Sequence, residues 1–196
     1  MKKNGYTLIE MLVVVGLTAL VLAIITDSIL TFYRANTNTL EQAVQVDEAR
    51  RGVDRMVRDL REIAYADDGS YPIVEMSTTS ITFYSDIDRD ASAERVHYWL
   101  FGTVLRKGVT NATGTPPAYG SADEQVSIIS EYIRNGAQNM PMFKYFNASS
   151  TEIAAGTATT SISYVQMNMI VNVDQYRLPG EFTLRSNAAF RNLKAN

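Results

Sequence analysis

From Met11 to Ile25 no residue is charged and only Thr18 is polar. Counted from Tyr6, the apolar segment runs 20 residues with one acid, Glu10, inside it. Roughly 20 residues rising about 1.5 Å each reach across the hydrocarbon core of a bilayer. Lys2 and Lys3 stand on the short N-terminal side, which the positive-inside rule keeps cytoplasmic, so everything after Asp27 is expected to face outward. Any fold for this chain has to begin from a membrane-length helix.

Three readings compete for that segment. A cleaved secretory signal needs a small-x-small site after its apolar region, and Ile25-Thr26-Asp27-Ser28-Ile29 matches that poorly. A plain signal anchor explains the length and the lysines but leaves Glu10 without a reason. An ionised carboxylate at mid-membrane costs about 2.5–3.5 kcal/mol, although near the end of a segment the side chain can snorkel to water. Read together, Lys2-Lys3-Asn4-Gly5 and Tyr6-Thr7-Leu8-Ile9-Glu10-Met11-Leu12 resemble the class III signal of type IV pilins and pseudopilins. The resemblance implies cleavage between Gly5 and Tyr6 by a prepilin peptidase and methylation of the new amine on Tyr6. It also implies an assembly role for Glu10, paired with a neighbouring subunit's N-terminal amine. A paired intramembrane charge is far cheaper than an isolated one. Tyr6 stands where that family usually has Phe, and the ring is retained.

Composition narrows the remaining classes. The 196-residue chain has 18 Lys+Arg against 21 Asp+Glu, a net charge of -3, which argues against nucleic-acid binding through bulk charge. It has no cysteine, which excludes disulfides, cysteine zinc sites and thiol nucleophiles, and its one histidine leaves His-rich metal clusters out. With no phosphate-binding glycine loop and no nucleophile–base constellation, an enzyme is not expected.

Beyond the membrane segment the helical pattern runs on to about Ala66. No proline interrupts it, and apolar residues recur at steps of three and four through Ile29, Phe32, Tyr33, Leu40, Val44, Val53, Met56, Leu60 and Ile63. A single helix from Tyr6 to Ala66 would be on the order of 90 Å long. Gly16 and Gly52 are places where it could bend. Arg50, Arg51, Arg55, Arg58 and Arg61 alternate with Asp47, Glu48, Asp54, Asp59 and Glu62, which reads as a solvated ion-pair face and not as a basic patch.

From residue 67 the texture changes to strands and loops. Ile81–Tyr84, Val96–Phe101, Val104–Arg106, Val165–Val173 and Phe182–Arg185 read as strands, with 126–135 a short strand or helix and 110–123 and 147–161 loops. The expected fold is α+β, one long N-terminal helix packed on an antiparallel sheet. Its parts are residues 1–5 as leader, 6–27 as transmembrane helix, 28–66 as amphipathic helix and 67–196 as sheet domain. Ser80–Asp88, Glu94–Tyr98, Leu105–Lys107 and Phe182–Asn192 resemble the J-type minor pseudopilins and the PilW-like minor pilins.

One loop invites metal chemistry. Asp86, Asp88, Asp90 and Glu94 place hard oxygen ligands at alternating positions, which suits Ca²⁺ and matches the first half of an EF-hand loop. Ala91 stands where that loop wants Gly, and His97 where it wants a bidentate Glu. The plain alternative is an acidic hairpin tip built from turn-forming Asp residues.

These features together make a minor pilin or pseudopilin the expected function. Its implied partners are the prepilin peptidase, other major and minor pilins or pseudopilins and the inner-membrane assembly platform. Its expected location is the inner membrane, then a filament in the periplasm or at the cell surface. The rival is a signal-anchored extracellular binding or adhesion domain that never polymerises.

Overall fold

The computed structural model describes residues 7–90, 92–156, 159–174, 176 and 180–190. It opens with α1, Leu8–Arg61, a 54-residue helix that at 1.5 Å per residue is about 80 Å long. No proline breaks it, and Thr26 Oγ1 donates to Leu22 O at 2.8 Å, as Thr18, Thr37 and Thr39 do to their own i−4 carbonyls. Those returns satisfy the four threonine hydroxyls within the helix itself, which suits apolar surroundings. Arg58 and Arg61 in the last turn suit the negative end of the helix dipole.

The helix stops at Arg61, short of the predicted Ala66. Glu62 N still donates to Arg58 O at 3.2 Å, but Ile63 forms an isolated bridge with Ser85 and Ala64 N donates to Tyr84 O at 2.9 Å. Sheet hydrogen bonds displace the last helical turn, a competition that local periodicity does not register.

Two antiparallel sheets follow where one was expected. The first has the order β1 (Ile73–Met76), β2 (Ser80–Ser85), β3 (Glu94–Phe101), β4 (Val104–Thr110) and β5 (Gln125–Ser130). The second comprises β6 (Phe143–Phe146), β7 (Glu152–Ile153), β8 (Tyr164–Val171) and β9 (Phe182–Ala189) in the order β7-β6-β8-β9. Met142 N donates to Thr78 O at 2.8 Å and Tyr145 Oη to Ser77 O at 2.7 Å, which tie the second sheet to the β1–β2 turn. Val165, Met167, Met169, Val171 and Val173 alternate with Gln166, Asn168, Ile170 and Asn172, a period of two that predicts one mainly apolar face for the β8 segment. Asn168 and Ile170 on its other face are buried as well, under Asn135, whose Nδ2 donates to Asn168 O and whose Oδ1 accepts from Ile170 N.

The core lies between the C-terminal part of α1 and both sheets. Val53, Met56, Val57 and Leu60 meet Ile81, Phe83, Val96 and Tyr98 of the first sheet and Met167 and Met169 of the second. Met56 and Leu60 are fully buried, so truncation of either to Ala costs about 2–5 kcal/mol. Two polar contacts fix the helix in register. Gln42 behaves like an added strand residue at the end of β8, donating to Val171 O at 3.2 Å and accepting from Val173 N at 2.9 Å. Asp59 Oδ2 accepts from Tyr98 Oη and from Lys107 Nζ, both at 2.6 Å, in a nearly dry site. Burial, and then the charge of Asp59, push the Tyr98 phenol far above its usual range.

Gly52 is not a bend. It is buried in a continuous helix, and a Cβ there would stand 2.6 Å from Ile129 Cγ2. Its missing side chain is what lets β5 lie against α1.

Candidate functional site

The N-terminal part of α1 is bare. Leu8, Ile9 and the apolar residues through Ile25 are exposed, and the helix holds an 18-residue stretch of mean hydropathy 2.8 with none of it buried. The apolar stripe continues bare beyond bilayer length through Ile29, Phe32, Tyr33, Leu40 and Val44, with Phe32 72% exposed. Only from Ala49 does the stripe meet its own core. An exposed apolar area of this extent needs lipid or other helices to cover it.

Glu10 closes the start of the helix. Thr7 is the N-cap, Glu10 N donates to Thr7 Oγ1 at 3.3 Å, and the Glu10 carboxylate accepts from Thr7 N at 3.5 Å. This is a capping box, and its signature Thr-x-x-Glu is legible at Thr7-Leu8-Ile9-Glu10, a role for Glu10 besides the assembly role that the resemblance implies. The cap gives the acid a second reason to sit in the first helical turn, where the helix dipole also favours it. Gly5 and Tyr6, the residues of the expected cleavage and methylation, lie outside the described residues.

The β2–β3 loop brings three of its four acids together. Asp86, Asp88 and Glu94 present carboxylate oxygens within 4.8 Å of one another, a spacing that a hard cation such as Ca²⁺ can bridge. Asp90 does not join them; its Oδ1 accepts from Ser92 N at 2.8 Å. The three also build the turn themselves. Asp86 Oδ1 accepts from Arg89 N at 2.6 Å, Asp88 Oδ1 from Asp90 N at 3.2 Å, and Glu94 Oε2 from Ile87 N at 2.9 Å. Asp67 holds the loop from outside by accepting from Ala93 N and Ser92 Oγ. Glu94 is only 2% exposed. Desolvation raises its pKa above the ordinary value, the Asp88 and Asp90 charges push the same way, and the Ile87 amide opposes them. His97 takes no part in the loop. It sits on β3, stacked on Trp99 at 4.3 Å with its Nδ1 3.3 Å from Glu124 Oε1.

A search of curated proteins returns no match. Residues 1–26 match the family model of the prokaryotic N-terminal methylation motif. That match spans the basic residues, Gly5, Tyr6, Glu10 and the apolar run, and it supports a type IV pilin-like precursor anchored in the membrane by α1.

Proposed function

We propose that the chain is a minor pilin or pseudopilin. It is cleaved after Gly5, methylated on Tyr6 and assembled through α1 into a type IV pilus or a type II secretion pseudopilus, as a priming or tip subunit. The observation that carries this reading is the bare apolar helix, whose covering need extends past one bilayer thickness to Val44 while the body it leads into is folded on its own core. A membrane covers the first part, and helices of neighbouring subunits suit the second. The methylation motif at residues 1–26 supports processing by a prepilin peptidase and assembly with other pilins. The likeness of Ser80–Asp88 and Phe182–Asn192 to minor pseudopilins favours the minor role.

The test replaces Glu10 by Ala in the full chain and separates membrane insertion from assembly. The variant is expected to fractionate with the membrane like the parent, and to be lost from sheared or pelleted filaments and from complexes with the other pilins. A Glu10→Ala chain that assembles at the parental level would favour the non-polymerising, signal-anchored binding domain.

A further inference from the structure

The outer face of the five-stranded sheet is covered over only part of its length. Tyr119, from the connection between β4 and β5, lies on Tyr84 with ring centroids 4.8 Å apart and donates to Ala93 O at 2.6 Å. Arg95 donates to Tyr119 O at 3.2 Å. Glu124 packs over Gly108 and reaches His97. The connection therefore covers the row that holds Tyr84 and, in the next row, His97 and Gly108 but not Val126, and there it stops.

The next row runs Trp99, Arg106, Ile128 in register across β3, β4 and β5. Residues opposite one another in register share a face, as do residues two apart on a strand, so Phe101 and Val126 extend this row into one patch. It is open to solvent: Phe101 is 64% exposed, Ile128 59% and Val126 53%. Arg106 is the only charge in the row. Its guanidinium lies 4.9 Å from the Phe101 ring centroid, its Nε is buried with no hydrogen-bond acceptor, and no carboxylate pairs with it among the described residues. A buried donor left unpaired costs free energy that an incoming acceptor recovers.

The edge of the sheet at this patch is also free. β5 is the last strand and pairs only with β4. The ladder is regular from Gln125 to Ile128; then Leu105 pairs with Ser130 and Arg106 with Ile128, so Ile129 bulges onto α1. From Gln125 to Ser130 β5 carries neither a charge nor a proline, which leaves the bulge at Ile129, past the regular stretch, as the device that guards the edge. An aromatic and aliphatic patch with a central Arg has the composition of an interface hot spot.

We infer that this half-face docks an extended segment of a partner protein, added as a strand alongside β5, with apolar side chains on Val126 and Ile128 and a carboxylate on Arg106. Charge selects the occupant. Arg106 stands alone on the face, and at the edge Arg51 and Arg55 are mixed with Glu48 and Glu131; in a chain of net charge -3 this gives no field for a nucleic acid or an anionic membrane, whereas Arg106 complements a single acid set among apolar residues. Trp99, Phe101, Arg106, Val126 and Ile128 all belong to the sheet, with Glu48, Arg51 and Arg55 of α1 lining a cavity beside Ile128 at the strand edge, and the inference needs no filament contact of the apolar part of the helix.

The test is site-specific photocrosslinking of the full chain in its own cells, with p-benzoylphenylalanine placed at Ile128 and the adduct mapped by mass spectrometry. The expected adduct is to a different protein, in a run where apolar residues alternate with polar ones that include Asp or Glu. Arg106→Glu in the same background is expected to cut the adduct yield by about tenfold or more, because it turns the charge pair into a repulsion. Arg106→Gln, which keeps a side chain over Phe101, should cut it less, and both variants should keep the parental thermal midpoint. An adduct between two copies of this chain, an adduct only with lipid or glycan, no adduct, or an unchanged yield in Arg106→Glu would each overturn the inference. Cleavage after Gly5 is read separately from the N-terminal residue, so failure of either reading shows by itself.

Discussion

Glu10 carries two physical demands that one substitution can separate. As the last member of a capping box it needs only an acceptor for Thr7 N, which a glutamine oxygen also supplies. As the partner of a neighbouring subunit's amine it needs its charge. The account predicts that Glu10→Gln keeps the helix and its insertion yet fails to assemble, like Glu10→Ala, measured as subunit recovered in pelleted filaments. Assembly by the Gln variant at the parental level would reduce Glu10 to a cap. Glu94 offers a second residue-scale test. Its folded pKa is raised, so the folded state holds the proton more tightly than the unfolded chain does. Ionised Glu94 therefore costs stability at neutral pH, and the cost disappears as pH falls through the raised pKa. Glu94→Gln keeps the acceptor for Ile87 N and removes the charge facing Asp88 and Asp90. With chelator present it should melt above the parent at neutral pH, and the difference should close in acid. A Ca²⁺ titration that raises the midpoint of the parent and not of the variant would instead assign Asp86, Asp88 and Glu94 to a metal. The sequence showed which acids share this loop, but not that Asp90 takes Ser92 N as its own local turn bond or that Glu94 is buried in a loop that Asp67 holds from 26 residues away.

At the scale of elements, the apolar packing of α1 on the sheets is joined by one close approach and one buried charge pair that substitutions can test. Gly52→Val puts a branched side chain against Ile129 and should destabilise the body by about 1–3 kcal/mol, net of improved helix propensity, in chemical denaturation of the detergent-solubilised chain. Asp59→Ala leaves Lys107 buried without its counter-charge and should cost about 3–5 kcal/mol, whereas the double change Asp59→Leu with Lys107→Met should recover most of that loss. If the double variant were no more stable than the single one, the pair would not be acting as a charge couple. Strands with dense β-formers, such as Ile81–Tyr84 and Val96–Phe101, were legible because their composition and their flanking turns agree. β1 and β6 were not. Each is four residues long, too short for its alternation to show, and begins close after a proline (Pro72 and Pro141); β1 closes a hairpin on β2, whereas β6 draws β8 from across the 147–161 connection. The same non-local pairing divides the strands into two sheets, and it turned Gly52 from an apparent hinge into a contact point.

The whole molecule is a folded body on a shaft. The C-terminal part of α1 belongs to the body's core, and the apolar stripe of the N-terminal part, as far as Val44, has no cover among the described residues. This division was legible from the start, since a charge-free run and an unbroken helical period need no tertiary knowledge to read. The open half-face of the first sheet was not, because Trp99, Phe101, Arg106, Val126 and Ile128 converge only through strand register. Every part of the proposed role depends on one covalent event at the N-terminus, and that event leaves a direct chemical trace. The measurement is the intact mass and N-terminal residue of the chain isolated from its native membrane. The account predicts a chain that begins at N-methylated Tyr6, with Met1 to Gly5 removed. A chain that keeps Met1 or Lys2 in cells with an active prepilin peptidase would contradict it and leave a signal-anchored domain in its place.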